Sequence, residues 1–148
     1  MDKKQTLTFP GRYDEIKNIC TFVVQGAAEA GLDDTAVFHI ELACDEACTN
    51  IIEHAYGGED KGNIVVTCQI DDDKFLITLQ DNGRSFNPAD IPDPAIPEDD
   101  KSNNSEIQYD QLQVGGLGIH FMRKLMDNVV FEFDQKSGNR LTLTKNIP

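Results

Sequence analysis

Glu46-Ala47-Cys48-Thr49-Asn50-Ile51-Ile52-Glu53-His54 is the stretch on which the reading of this chain turns. Glu46, Asn50 and His54 recur every four residues, so a helix stacks them along one stripe. A soluble helix has no structural need for a carboxylate, an amide and an imidazole in a row. A carboxylate placed there can take a proton, and an amide oxygen can hold a hard cation. Glu on a helix is ordinarily a solvated surface group. Asn is a middling helix former that competes for backbone bonds, so an Asn in mid-helix points to a task for its side chain.

The composition frames that stretch. At 148 residues the chain is expected to form one domain, spanning 1–148, with a core of useful size. A hydrophobic content of 39% and a charged content of 26% are ordinary for a soluble globular protein. Lys and Arg total 13 against 26 Asp and Glu, a formal charge of −13. Such a surface repels nucleic acid and anionic lipid, so neither a direct nucleic-acid partner nor a membrane partner is expected. It does not exclude a nucleotide, because local backbone amides and a metal overcome the net field. No run is long enough to span a bilayer, and Met1-Asp2-Lys3-Lys4-Gln5 leads into an alternating segment and not an apolar signal core. A cytoplasmic location is the expectation. Cys20, Cys44, Cys48 and Cys68 contain no C-x-x-C pair and read as small buried thiols.

Working outward, Gln5 to Phe9 alternates as a strand before Pro10-Gly11. Ile16, Ile19, Cys20, Val23, Val24 and Ala27 have helical spacing within 13–30, and Gly31 is a stop. Asp33 or Asp34 can cap the next helix, whose core stripe is Val37, Ile40, Ala43, Cys44, Ala47 and Ile51 and which ends near Tyr56-Gly57-Gly58. Asn63–Ile70 and Lys74–Gln80 are β-branched runs joined by Asp71-Asp72-Asp73, an antiparallel hairpin. Residues 87 to 113 differ in kind, with Pro88, Pro92, Pro94, Pro97 and the acidic run Glu98-Asp99-Asp100. A mobile lid at about 87–114 is expected. A helix resumes at Gly115, and 128–134 and 140–145 form a last hairpin around Ser137-Gly138-Asn139. The order β-α-α-β-β-lid-α-β-β has too few helices between strands for a doubly wound sheet. It predicts an α+β, two-layer sandwich with helices on one face of a mixed, largely antiparallel sheet.

Two glycine segments supply what a nucleotide site would need beyond Glu46 and Asn50. Asp81-Asn82-Gly83 ends a strand. It reads as a turn or as an aspartate accepting a bond from an exocyclic amine, with Gly83 leaving room for a flat base. Gly115-Gly116-Leu117-Gly118 opens a helix at a cost of about 1 kcal/mol per glycine relative to Ala. That cost suggests close approach of backbone to a ligand, and bare amides at a helix start suit an anion. The segment lacks the Lys and Ser/Thr of a P-loop. His39 and His120 read as structural or surface groups, and no His/Cys cluster or Ser-His-Asp arrangement argues another chemistry.

In combination these segments resemble the GHKL ATP-binding superfamily, which includes gyrase-type and histidine-kinase ATPase domains. Within it the chain looks like the small single-domain anti-sigma-factor serine kinases of bacteria. The resemblance lies in 46–56, in Asp81-Asn82-Gly83-Arg84-Ser85-Phe86, in 115–127 and in the closing 138–144, and so spans nearly the whole chain. It implies ATP and Mg²⁺ as cofactors. It implies Glu46 as general base toward a serine hydroxyl and Asn50 as Mg²⁺ ligand. Asp81 would bond the adenine amine with Gly83 beside the base, and Gly115, Gly116 and Gly118 would offer amides to the phosphates. The implied partners are an anti-anti-sigma antagonist of the STAS type, a sigma factor and a second copy of the chain. The lid departs from the family pattern in being long, acidic and poor in basic residues, and Arg84 receives no role. The alternative is an ATP-binding partner-switching module without phosphoryl transfer, or one with a target other than a sigma factor. A third reading, an acidic interaction protein that has lost nucleotide binding, sits poorly with intact Glu46, Asn50, Asp81 and both glycine boxes.

Overall fold

The computed structural model describes residues 4–85, 118–134 and 138–148, with the backbone alone for 118–121. Strand β1 (Lys4–Pro10) leads through a 3-10 turn (Tyr13–Glu15) into helix α1 (Ile16–Glu29) and then α2 (Asp34–Asn50). A π-helical turn (Ile51–Ala55) prolongs α2. Strands β2 (Asn63–Asp71) and β3 (Lys74–Asp81) form the expected hairpin. Helix α3 (Gly118–Leu125) precedes β4 (Asn128–Asp134) and β5 (Gly138–Asn146). The five strands form one sheet in the order β1-β2-β3-β5-β4, and every pairing is antiparallel. The α+β architecture is the expected one, and no parallel pairing occurs among the described residues. The expected lid and the glycines at 115 and 116 lie outside those residues.

Strand alternation decides which side chains meet the helices. Ile64 and Val66 on β2, Phe75, Ile77 and Leu79 on β3, and Leu141 and Leu143 on β5 all point into the core. Phe75, Ile77 and Leu79 are almost fully buried. Each contributes about 1.5–3 kcal/mol over an exposed position. From the helices come Ile16, Ile19 and Val23 of α1, and Ile40, Ala43, Cys44 and Ala47 of α2. Met122 and Leu125 of α3 close the same core. The N-cap of α2 is Asp33, whose carboxylate accepts the Ala36 N–H at 2.9 Å. On the opposite face Thr6, Thr67, Thr78 and Thr142 lie side by side across four strands. The Thr6 and Thr67 hydroxyls are 3.0 Å apart.

Two local readings change. The four-residue stripe through Glu46, Asn50 and His54 assumes one continuous helix. The Tyr56 N–H instead bonds the Ile51 carbonyl at 2.9 Å, the wider spacing of a π-turn, so the stripe stops at Asn50. Gly138 and Asn139, read as hairpin turn, belong to β5, and Asn139 sits opposite Asp81.

All four cysteines are buried and unpaired as disulfides. Burial pushes the Cys68 thiol up to about 12. The Cys20 thiol is raised well beyond its usual range, chiefly through its hydrogen bond with Cys44 and by burial. A thiol is reactive only as thiolate. Ellman's reagent at mildly alkaline pH should therefore leave the four thiols of the folded protein unmodified for many minutes and label all four in guanidinium. Fast labelling of any one in native buffer would show that this part of the core opens readily.

Candidate active site

The site begins where α2 gives way to its π-turn. Asn50, the last residue of α2, is 4% exposed, and its side-chain Nδ2 has no hydrogen-bond partner among the described residues. Buried amides are normally satisfied, so an orphan here marks a place where something else binds. Glu46, one turn earlier, is 5% exposed and not the solvated carboxylate usual for a helix. The core-facing residues of α2 pack on α1 and the sheet, yet both of these polar groups are also buried.

Opposite α2 lies the end of β3. Alternation puts Asp81 on the same face as Ile77 and Leu79, so the strand that supplies the core also delivers a carboxylate to its rim. Asp81 Oδ1 accepts two hydrogen bonds, from the Gly83 N–H and from the Asn139 amide, each at 2.8 Å. Among the described residues Oδ2 accepts none. Burial holds the Asp81 carboxyl above the usual carboxylate range, and the bonds from Gly83 and Asn139 oppose that rise.

The segment after Asp81 is clamped to the end of α2. A Cβ on Gly83 would lie 2.4 Å from the Ala55 carbonyl oxygen, so only glycine permits this approach. Arg84 donates its backbone N–H to Ala55 O at 2.8 Å and its Nε–H to His54 O at 2.9 Å. These bonds cap carbonyls that the π-turn leaves open, a task the sequence did not reveal for Arg84. The Asn82 N–H bonds the Tyr56 hydroxyl at 3.0 Å, and that hydroxyl donates to Asn63 O at 2.5 Å.

A pocket of about 290 Å³, its open mouth included, lies between these parts. Ala47, Asn50 and Ile51 form the helix wall, and Asp81, Asn139, Arg140 and Leu141 the sheet side. Phe131 and Phe133 of β4, stacked with ring centroids 5.9 Å apart, make an aromatic flank. The pocket thus offers a carboxylate acceptor, a side-chain amide and flat apolar walls, a set suited to a planar polar ligand carrying a charged group. Of the residues singled out in the sequence, Asn50 and Asp81 meet in this pocket. Gly83 shapes the loop beside it, and Glu46 is buried one turn away. Gly118 begins α3, while Gly115 and Gly116 fall outside the described residues. Asn139, Phe131 and Phe133 were not foreseen. Only strand register brings them to the site, and an Asn beside Gly138 reads locally as a turn.

The family model described as the histidine kinase-like ATPase domain matches residues 9–145. The chain belongs to that family. It is 32% identical over 148 residues to the serine-protein kinase RsbW of Listeria monocytogenes (serotype 4a), covering 99% of this chain and 89% of that relative. It is 33% identical over 119 residues to the serine-protein kinase RsbW of Bacillus licheniformis, covering 80% of this chain and 70% of that one. The crystal structure of the RsbU and RsbW domains of a Mycobacterium tuberculosis protein superposes with a TM-score of 0.65 at 18% identity. It covers 97% of this chain and 32% of that longer one, a likeness of fold. No helix among the described residues is long and apolar enough to cross a membrane.

The buried carboxylate has a consequence for the unliganded protein. The folded pKa of Asp81 is raised above its unfolded value. Its contribution to stability is therefore fully present below the unfolded pKa and lost as pH rises through the folded one. Asp81→Asn keeps an oxygen for Gly83 and Asn139 and removes the buried charge. The ligand-free variant should melt at a higher temperature than the parent near neutral pH, and the gap should close as pH falls below about 4. Thermal scans across pH check this, and a lower Tm for the variant at neutral pH would show that the charge stabilises the fold.

Proposed function

We propose that this protein is an ATP-dependent serine-protein kinase and anti-sigma regulatory factor. It phosphorylates an anti-anti-sigma antagonist and sequesters a sigma factor in the cytoplasm. The observation that carries the reading is the meeting in a single pocket of Asn50, whose buried amide nitrogen has no partner among the described residues, and Asp81, whose bonds from the described residues both fall on one oxygen. The similarity to serine-protein kinases over nearly the whole chain supports it.

The residues suggest a division of labour. Asp81 Oδ2 accepts a hydrogen bond from the exocyclic amine of adenine, and the Phe131–Phe133 flank gives the base an apolar wall. Asn50 is the residue suited to hold Mg²⁺ through its side-chain oxygen, leaving Nδ2 to donate to the nucleotide. The ion, when bound, neutralises phosphate charge. The glycine segment 115–118 is read as offering backbone amides of Gly116 and Gly118 to the phosphates. Glu46 accepts the proton of the incoming serine hydroxyl as its oxygen bonds to the terminal phosphorus and the bond to ADP breaks. Burial of Glu46 beside the pocket's helix wall supports this, because it sets the carboxylate one turn from Asn50 and away from bulk water. A homodimer, implied by the family resemblance, belongs to the same reading, and light scattering checks it.

The decisive experiment incubates the protein with ATP, Mg²⁺ and candidate antagonist proteins and follows phosphate addition by intact mass. Glu46→Gln should retain ATP binding and lose transfer by about 10²–10⁴-fold. Asn50→Ala should weaken Mg²⁺-dependent ATP binding itself, read by calorimetry with and without the metal. Parental transfer rates in Glu46→Gln would remove Glu46 as the base. Tight ATP binding without modification of any antagonist would replace the kinase with a partner-switching module.

A further inference from the structure

Asn139 is 5% exposed and spends its whole side chain on the segment that holds Asp81. Its Nδ2 faces three oxygens: Asp81 Oδ1 at 2.8 Å, Arg84 O at 3.0 Å and Gly83 O at 3.3 Å. Its Oδ1 accepts the Ser85 hydroxyl at 3.2 Å. Three acceptors around one end and a donor at the other fix which end is nitrogen. The neighbouring Gly138 makes the arrangement possible. It has φ +91°, and a Cβ there would lie 2.1 Å from the Asp81 carbonyl oxygen. Glycine thus lets β5 close against the end of β3, and Asn139 follows directly opposite Asp81.

We infer that Asn139 is a positioning residue for nucleotide selection: by occupying Asp81 Oδ1 and tying down the Gly83 and Arg84 carbonyls, it aims Asp81 Oδ2 at the base. The inference deepens the adenine reading of Asp81 given above and rests on it. A carboxylate is two-fold symmetric and turns about its last torsion. With two donors on Oδ1 the rotation is stopped, and the second oxygen is presented in one direction. No other side chain of similar size does this. Ala leaves Oδ1 with one donor, and two loop carbonyls with none, among the described residues. Asp sets a like charge against Asp81. Ser or Thr offers a single proton where the site uses two. The amide donor also favours the ionised form of Asp81, which is the form that accepts from an amine. Among the described residues, ionisable groups set near Asp81 include the Tyr56 phenol, at the end of the π-turn, and Arg140, on the pocket's sheet side.

The test compares ATP with purine riboside triphosphate, which lacks the exocyclic amine, against the parent, Asn139→Ala, Asn139→Ser, Asp81→Asn and the double variant Asp81→Asn/Asn139→Ala. Affinities come from calorimetry and folding from thermal melts. Asn139→Ala should weaken ATP about ten- to a hundredfold, change the purine analogue by less than about threefold, and add nothing in the Asp81→Asn background. Asn139→Ser, which keeps one donor, should fall between, and it carries the comparison if the Ala variant does not fold. Equal weakening of both nucleotides, or an undiminished effect in the Asp81→Asn background, would reduce Asn139 to a structural residue. Weak ATP binding in Asp81→Asn with parental binding in Asn139→Ala overturns this inference alone. Unchanged ATP affinity in Asp81→Asn overturns the adenine assignment itself.

Discussion

The structure around the pocket depends on keeping one carboxylate out of water. A buried charge is costly unless its lone pairs are met. Asp81 meets that condition only on Oδ1, with donors from two directions, the Gly83 backbone behind it and the Asn139 amide across the sheet, while Oδ2 accepts nothing among the described residues. Each donor constrains a further segment. Gly83 can reach Asp81 only if the loop turns tightly, which presses it against Ala55 and calls for a residue without a Cβ. Asn139 can reach only if β5 starts early and approaches closely, which requires Gly138. The strand order places β5 beside β3 and makes the second donor available at all.

The same logic governs the end of α2. One side of this helix is committed to the core through Ile40, Ala43, Cys44 and Ala47. Glu46 and Asn50 are buried as well, although neither belongs to that apolar stripe. Helices bearing polar groups in enclosed positions need those groups to be used. The π-turn at Ile51–Ala55 then redirects the chain so that its carbonyls face Arg84 and its last aromatic, Tyr56, braces Asn82. Helix, loop and strand end are thereby joined through hydrogen bonds on both sides of the pocket. A rigid frame around a half-satisfied polar pair is the arrangement expected of a preorganised ligand site.

Much of this was legible in the linear chain. The described strands and helices fall where the spacing of Ile, Val, Leu and Phe put them, apart from the π-turn after Asn50 and the early start of β5, because alternation and helical periodicity are local consequences of backbone geometry. The buried character of the four cysteines followed from the absence of a C-x-x-C pair and from the small, apolar nature of a thiol. Asn50 stood out because it is a poor choice for mid-helix unless its side chain is needed, whereas Asp81, in a segment that reads locally as a turn, stood out only in combination with the other segments. Arg84, Tyr56 and Asn139 escaped notice for the opposite reason: an arginine after a glycine, a tyrosine at a helix end and an asparagine beside a glycine all have ordinary local explanations.

The sequence by itself determined the class of fold, the order of its elements and the two polar groups at the heart of the pocket. Those properties depend on residue type and spacing within single segments. The tertiary structure alone decided that the sheet runs β1-β2-β3-β5-β4, that α2 widens after Asn50, and that Asn139 is the group bonded to Asp81. Each of these depends on which distant segments share a hydrogen-bond ladder. A shift of one residue in the β3–β5 register would leave the composition of both strands unchanged and turn Asn139 to the opposite face.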